Sequence, residues 1–170
     1  NLSQWLEEAL AIYQQIQHRP TIIIGSSMGA WLALRLTETL QNSQQLLPKA
    51  LLLLAPAVDF THELLLKKLP QALLDQLEQQ GTTAIPSQYE EAPLKFYKQF
   101  IEDANQHRLL NSSSDISVPM TMIHGEQDTD IPLILTIKAA AHFKNTQLIT
   151  VNDGEHRLSR EQDIQLILKT

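Results

Sequence analysis

The 170 residues predict an α/β fold, a parallel sheet flanked by helices. Three observations carry that expectation. Short apolar runs recur along the chain: "TIIIG" (21–25), "KALLLLAPA" (49–57), "PMTMIHG" (119–125) and "TQLITVND" (146–153). Continuous hydrophobicity over so few residues is the mark of strands buried on both faces. Amphipathic helical segments separate them. Strands alternating with helices pair in parallel through right-handed crossovers.

Taken in order, residues 3–17 place Leu6, Ala9, Leu10, Tyr13 and Ile16 at helical spacing, with Ser3 as the expected N-cap. His18-Arg19-Pro20 stops that helix. "TIIIG" reads as a buried parallel strand. "MGAWLALRLTETLQ" (28–41) is helical again, and Gly29, Ala30 and Ala33 give it a small-residue face. "IPLILTIKAAAHF" (131–143) is a helix with Pro132 near its start. "LSREQDIQLILKT" closes the chain as another helix.

Residues 59–117 break the alternation. They are expected to hold helices and no strand: Leu64 to Gln80, interrupted by Pro70 and closed by Gly81, then Pro93 to about His107. Leu69, Leu73 and Leu77 make one stripe; Phe96, Phe100 and Ala104 make another. An insertion of this kind reads as a lid over the functional edge of the sheet, or as a plain structural excursion. The chain is read as one domain, 1–170, carrying this insertion.

Composition narrows the function. Apolar residues make up 43% and charged ones 19%, an ordinary globular balance. A net charge of -6 offers no basic stripe to displace counterions, which disfavours nucleic acid or an anionic membrane as partner. The absence of cysteine excludes disulfides, thiolate metal sites and Cys nucleophiles. No apolar run reaches the roughly 18 residues of a membrane span. No signal or transit pattern is legible at the start, and the expected location is cytoplasmic. The sequence lacks an initiator Met and starts on helix-like residues, so it is expected to be part of a longer chain.

"GSSMG" (25–29) is the Gly-x-Ser-x-Gly pattern between a strand and a helix. It can be a glycine-punctuated turn or a turn that projects a nucleophilic serine. In the second case side chains at positions 25 and 29 are expected to collide with their surroundings. Ser27 then sits at the positive end of a helix, and the Met28 N–H points to where a tetrahedral oxyanion forms. A serine hydroxyl needs a base, and the chain has six histidines. His18 lies at the wrong end of the sheet, His62 and His107 fall in the insertion, and His142 is late in a helix. His124 ends a strand, where it is placed to support the following turn. Only His156 combines the carboxyl end of a strand with a short polar loop before a helix. The base needs an acid to hold its tautomer. "HGEQDTDIP" (124–132) offers Glu126, Asp128 and Asp130. Asp128 is placed to reach the His156 loop, and Asp130 is expected to cap the next helix or pair with its dipole. Asp-x-Asp lacks calcium-loop spacing and no His-Glu-x-x-His follows, so no metal or cofactor is expected. Ser27, Asp128 and His156 thus converge on the edge where open α/β sheets place ligands.

These residues resemble the α/β-hydrolases, and in particular the abhydrolase-domain esterases and thioesterases. That branch includes palmitoyl-protein thioesterase and acyl-glucuronide esterase activities and has bacterial relatives. The resemblance spans nearly the whole chain. It rests on "GSSMGAWLAL" (25–34), "IPSQYEE" (85–91), "FIEDANQHRLL" (100–110), "IHGEQDTDIP" (123–132) and "EHRLSREQDIQLI" (155–167). It implies Ser27 as nucleophile, Asp128 as acid and His156 as base, acting on a small-molecule acyl ester or thioester. It also implies several strands before the first helix and a second oxyanion donor from an early loop, neither of which has a counterpart here. Without such strands, "TIIIG" is expected to be an exposed apolar edge. Peptide or carbon–carbon bond cleavage on the same fold, and a non-catalytic binding module, are the alternatives.

Overall fold

The computed structural model describes residues 1–86 and 92–170. Four strands form a parallel sheet in the order β1-β2-β5-β6. They are β1 (Ile22–Ser26), β2 (Ala50–Leu54), β5 (Met120–Gly125) and β6 (Thr146–Val151). All four fall on the apolar runs of the sequence. Helices α1 (Leu2–Ile16), α2 (Met28–Asn42), α6 (Leu133–His142) and α7 (Glu161–Lys169) alternate with them. The main core joins Trp31 and Leu34 of α2, Leu51 and Leu53 of β2, Met120 and Met122 of β5, and Phe143. Small residues let α2 lie close: Ala30 and Ala33 are buried at that contact.

β2 and β5 are paired on both sides, as continuous apolar runs require. β1 departs from the expectation of a fully buried strand. Among the described residues it pairs only with β2, and Ile22 and Ile24 are 62% and 61% exposed. The exposed apolar edge anticipated from the sequence is therefore present.

The cap of α1 also differs. Asn1, not Ser3, accepts the Gln4 N–H, at 2.9 Å. Ser3 faces the insertion instead. Its N–H donates to Asp103 at 3.0 Å, and its hydroxyl lies 2.6 Å from His107 Nε2. Helix start signals are local, but this serine is recruited by a segment a hundred residues away.

The insertion is not all helical. A one-turn π-helix (Thr61–Leu65) runs into α3 (Leu66–Lys68), followed by α4 (Gln71–Gln80). Gly81 ends α4 with φ 72°, a left-handed cap that glycine adopts without a steric penalty. An antiparallel pair then follows, β3 (Thr82–Ile85) with β4 (Leu94–Tyr97), before α5 (Lys98–Asn105). The expectation of no strand is thus corrected. Thr82, Thr83, Ile85, Phe96 and Tyr97 are β-branched or aromatic residues that favour a pleated surface. The Phe96–Phe100 spacing that suggested one helix spans a strand-to-helix junction. Most of "IPSQYEE" (85–91) lies outside the described residues.

Asp59 fastens the two ends of the insertion. It is fully buried, at φ 54°. Its carboxylate accepts the Leu109 N–H at 3.0 and 3.1 Å and the Leu110 N–H at 2.9 Å. Burial pushes its pKa up despite those amides. Leu65, Leu69, Leu77 and Ile101 give the insertion its own small core.

Candidate active site

The site begins with a strained turn. Ser27 follows β1 with φ 54° and ψ -121°, a conformation that side chains rarely adopt. Backbone bonds hold it there. Its N–H donates to Leu54 O at 2.8 Å, and its carbonyl accepts from Ala30 N and Ala57 N at 3.1 Å each. Gly25 makes the turn possible, because a Cβ there would stand 2.7 Å from Ala30 Cα. Gly29 does not share that role: a Cβ there meets nothing within 4 Å. The expected collision at position 29 is therefore corrected. Met28 opens α2, at a position whose N–H has no acceptor within the helix.

Asp128 and His156 stand on neighbouring loops, after β5 and β6. Two glycines let the loops touch. A Cβ on Gly125 would overlap the Gly154 carbonyl, and one on Gly154 would stand 2.9 Å from Gly125 Cα. Gln127 N–H donates to Gly154 O at 2.9 Å, and Glu126 N–H to Val151 O at 2.9 Å. Sequence reasoning passed over both glycines, since their need for a missing Cβ appears only when the two loops are brought together.

The three side chains form one line. His156 Nδ1 is 2.7 Å from Asp128 Oδ2, and His156 Nε2 is 3.1 Å from Ser27 Oγ. A carboxylate only accepts, so Nδ1 carries the proton and donates. Nε2 then presents its lone pair, and the Ser27 hydroxyl donates to it. The bond to Asp128 raises the His156 pKa, against the opposing effect of burial. Burial acts to raise the Asp128 pKa, but the His156 bond and the Ile131 N–H outweigh it, so the net shift is downward. Asp128 Oδ1 accepts from Asp130 N–H at 2.9 Å and Ile131 N–H at 2.8 Å.

Glu126 is exposed and takes no part through its side chain. Asp130 is not the cap of α6, because Pro132 occupies that position. Asp130 instead borders the cavity and acts on His156 through its charge. Ligand atoms of Asp128, Asp130 and His156 lie within 4.8 Å of one another. A cation there would compete with the proton shared by Asp128 and His156.

A cavity of about 1030 Å³ opens over Ser27, Met28 and His156. Leu64, Leu65, Leu69, Ile85, Phe96 and Phe100 of the insertion line it, with Lys68 and Lys95 among the polar exceptions. Leu73, grouped with these on the sequence, packs into the insertion's own core and does not line the cavity.

A sharp strand-to-helix turn carrying Ser27, with an acid and a histidine from later loops, is the layout of an α/β-hydrolase. Solved structures agree. A crystal structure from Agrobacterium vitis S4 superposes with a TM-score of 0.94 at 34% identity, over 99% of this chain and 66% of that one. Mouse alpha/beta hydrolase domain-containing protein 10 gives 0.86 at 26% identity, over 99% and 67%. The family described as "Serine hydrolase (FSH1)" matches residues 6–165, and the chain belongs to it. Among curated relatives, "Palmitoyl-protein thioesterase ABHD10, mitochondrial" is 30% identical in Pongo abelii and 29% in Homo sapiens, over 172 residues. Each alignment covers 99% of this chain and 55% of the relative, so the chain spans about half their length.

Proposed function

We propose that the protein hydrolyses carboxylic esters or thioesters through an acyl-enzyme on Ser27. The observation that carries this reading is the hydrogen-bonded line Ser27–His156–Asp128, at 3.1 and 2.7 Å. His156 Nε2 takes the hydroxyl proton as Ser27 Oγ attacks the acyl carbonyl. Asp128 holds the Nδ1 proton and stabilises the imidazolium. The Met28 N–H donates to the developing oxyanion. The tetrahedral intermediate collapses as His156 gives its proton to the departing alcohol or thiol. Water, deprotonated by the same nitrogen, then releases the acid and frees Ser27.

The cavity supports an apolar acyl group. Its walls from the insertion are mostly aliphatic and aromatic, and it opens directly onto Ser27. In this reading the insertion is a lid. The palmitoyl-thioesterase activity named for the relatives is compatible with it.

Replacing Ser27 with Ala in the full-length protein is expected to abolish p-nitrophenyl ester and acyl-thioester hydrolysis. Retained turnover would refute Ser27 as nucleophile. A substrate panel that adds aminoacyl amides separates ester from peptide cleavage. Failure of a fluorophosphonate probe to label Ser27 in folded protein would favour a binding module.

A further inference from the structure

His124 is a fully buried titratable group beside Asp128 that the proposed chemistry leaves unused. It lies in β5, one residue before Gly125. A buried imidazole needs a partner for each ring nitrogen. Nδ1 is 2.8 Å from the hydroxyl of Thr136, itself fully buried in α6. Nε2 is 3.0 Å from the Ile131 carbonyl and 3.5 Å from Asp128 Oδ2.

These partners fix the tautomer of the neutral ring. A carbonyl and a carboxylate only accept, so Nε2 must carry the hydrogen. Nδ1 is then a lone pair, and the Thr136 hydroxyl must donate to it. The opposite tautomer would press a lone pair against two oxygens. Burial lowers the His124 pKa, which agrees with a neutral ring.

The consequence falls on Asp128. Ile131 is held through the peptide group on each side of its Cα: its carbonyl accepts from His124, and its N–H donates to Asp128 Oδ1 at 2.8 Å. The other carboxylate oxygen, Oδ2, is the one that accepts from His156. The His124 N–H faces that oxygen too, too far for a strong hydrogen bond but of the right sign. Donors therefore surround the carboxylate, and its plane is set.

We propose that His124 and Thr136 are positioning residues: Thr136, donating to Nδ1, holds the His124 ring, and His124, through its bond to the Ile131 carbonyl, aims the Asp128 carboxylate at His156. The inference rests on the reading of Ser27, His156 and Asp128 as the reacting line. Neither His124 nor Thr136 lines the cavity, so neither touches the substrate. Outer partners of this kind orient the groups that react.

The test uses Thr136→Val, which keeps the shape and removes the donor, with Thr136→Ser as the rescue. His124→Leu is the second variant. Two readouts are followed in the full chain. One is the rate of fluorophosphonate labelling at Ser27 against pH. The other is the titration of His156 and its Nδ1 proton, observed by imidazole NMR. The charged groups acting on His156 are Asp128, Asp130 and Arg157, with His124 reaching it from β5 through its own titration; all but His124 stay in place in every variant.

Labelling in Thr136→Val is expected to fall roughly tenfold, the low end for the loss of such a partner. The acid limb should move to lower pH, because a loosened Asp128 supports the imidazolium less. Thr136→Ser should restore both. A merely structural role would lower the melting temperature and leave the acid limb and the Nδ1 signal where they were. Unchanged labelling and an unchanged His156 titration in folded Thr136→Val and His124→Leu would overturn the proposal. If the native protein takes no label, the serine-hydrolase reading fails, and the NMR titration still decides the positioning role.

Discussion

Gly125 and Gly154 touch backbone to backbone, and no side chain fits between them. Their contact closes the gap between the loops that carry Asp128 and His156. Gly154→Ala is expected to push the loops apart and lengthen the 2.7 Å bond. A misplacement of about 1 Å at a reacting group costs on the order of 10²-fold in rate. Ester hydrolysis by the folded variant measures this, and native activity would show that the contact is dispensable.

The two glycines of Gly-x-Ser-x-Gly should behave differently. Gly25→Ala places a Cβ against the backbone of Gly29 and Ala30, which cannot move aside. Overpacking of that kind costs about 1–3 kcal/mol, and urea denaturation should detect it. Gly29→Ala meets open space inside α2 and is expected to be neutral or to stabilise by up to about 1 kcal/mol through helix propensity. Equal destabilisation by both would contradict the geometry.

The pH dependence of rate and of stability should run in opposite directions. The proposed mechanism needs His156 neutral at Nε2, so the rate is expected to rise with pH through a midpoint above the ordinary 6.5. The raised pKa means that protonated His156 favours the fold. Its stabilising contribution is fully present below 6.5 and is lost as pH rises through the folded value. Asp128 behaves conversely: its lowered pKa gives a contribution present above 3.8 that is lost as pH falls through the folded value. Labelling rates and melting temperatures collected on one pH series check both signs, with His156→Gln as the reference for each.

Asp59→Asn tests the clasp of the insertion. Asparagine puts an NH2 in place of one accepting oxygen, and because the Leu109 N–H lies against both oxygens, a donor faces a donor whichever way the amide is turned. A buried unsatisfied donor costs about 1–3 kcal/mol. Amide exchange at Leu109 and Leu110 should accelerate more than exchange in β5. Uniform acceleration would mean that the insertion does not open separately from the sheet.

What was legible in the sequence was local. Apolar runs of β-branched and aliphatic residues specify strands whatever lies beside them, and all four sheet strands fall on such runs. Gly25 and Ser27 mark a turn whose sterics involve only the next few residues. Asp128 and His156 could be chosen because a parallel sheet brings the carboxyl ends of its strands to one edge. The hairpin of Thr82–Ile85 with Leu94–Tyr97 escaped because strands of four residues carry too little periodicity to separate from a helix.

Only the tertiary structure decided which residues serve one another across the chain. Ser3 is taken from its expected capping role by Asp103 and His107, and Leu73 turns into the insertion's core while Leu69 also borders the cavity. Gly125 and Gly154 acquire meaning as a pair, since the need for a missing Cβ exists only where a second backbone occupies its place. Thr136 acquires its meaning from His124 in the same way. The sequence by itself determined the strands, the strained serine and the chemical types at the sheet edge, because short-range sterics and burial fix these. The distances that join Ser27, His156 and Asp128 arise from packing between segments far apart in the chain, which no local pattern encodes.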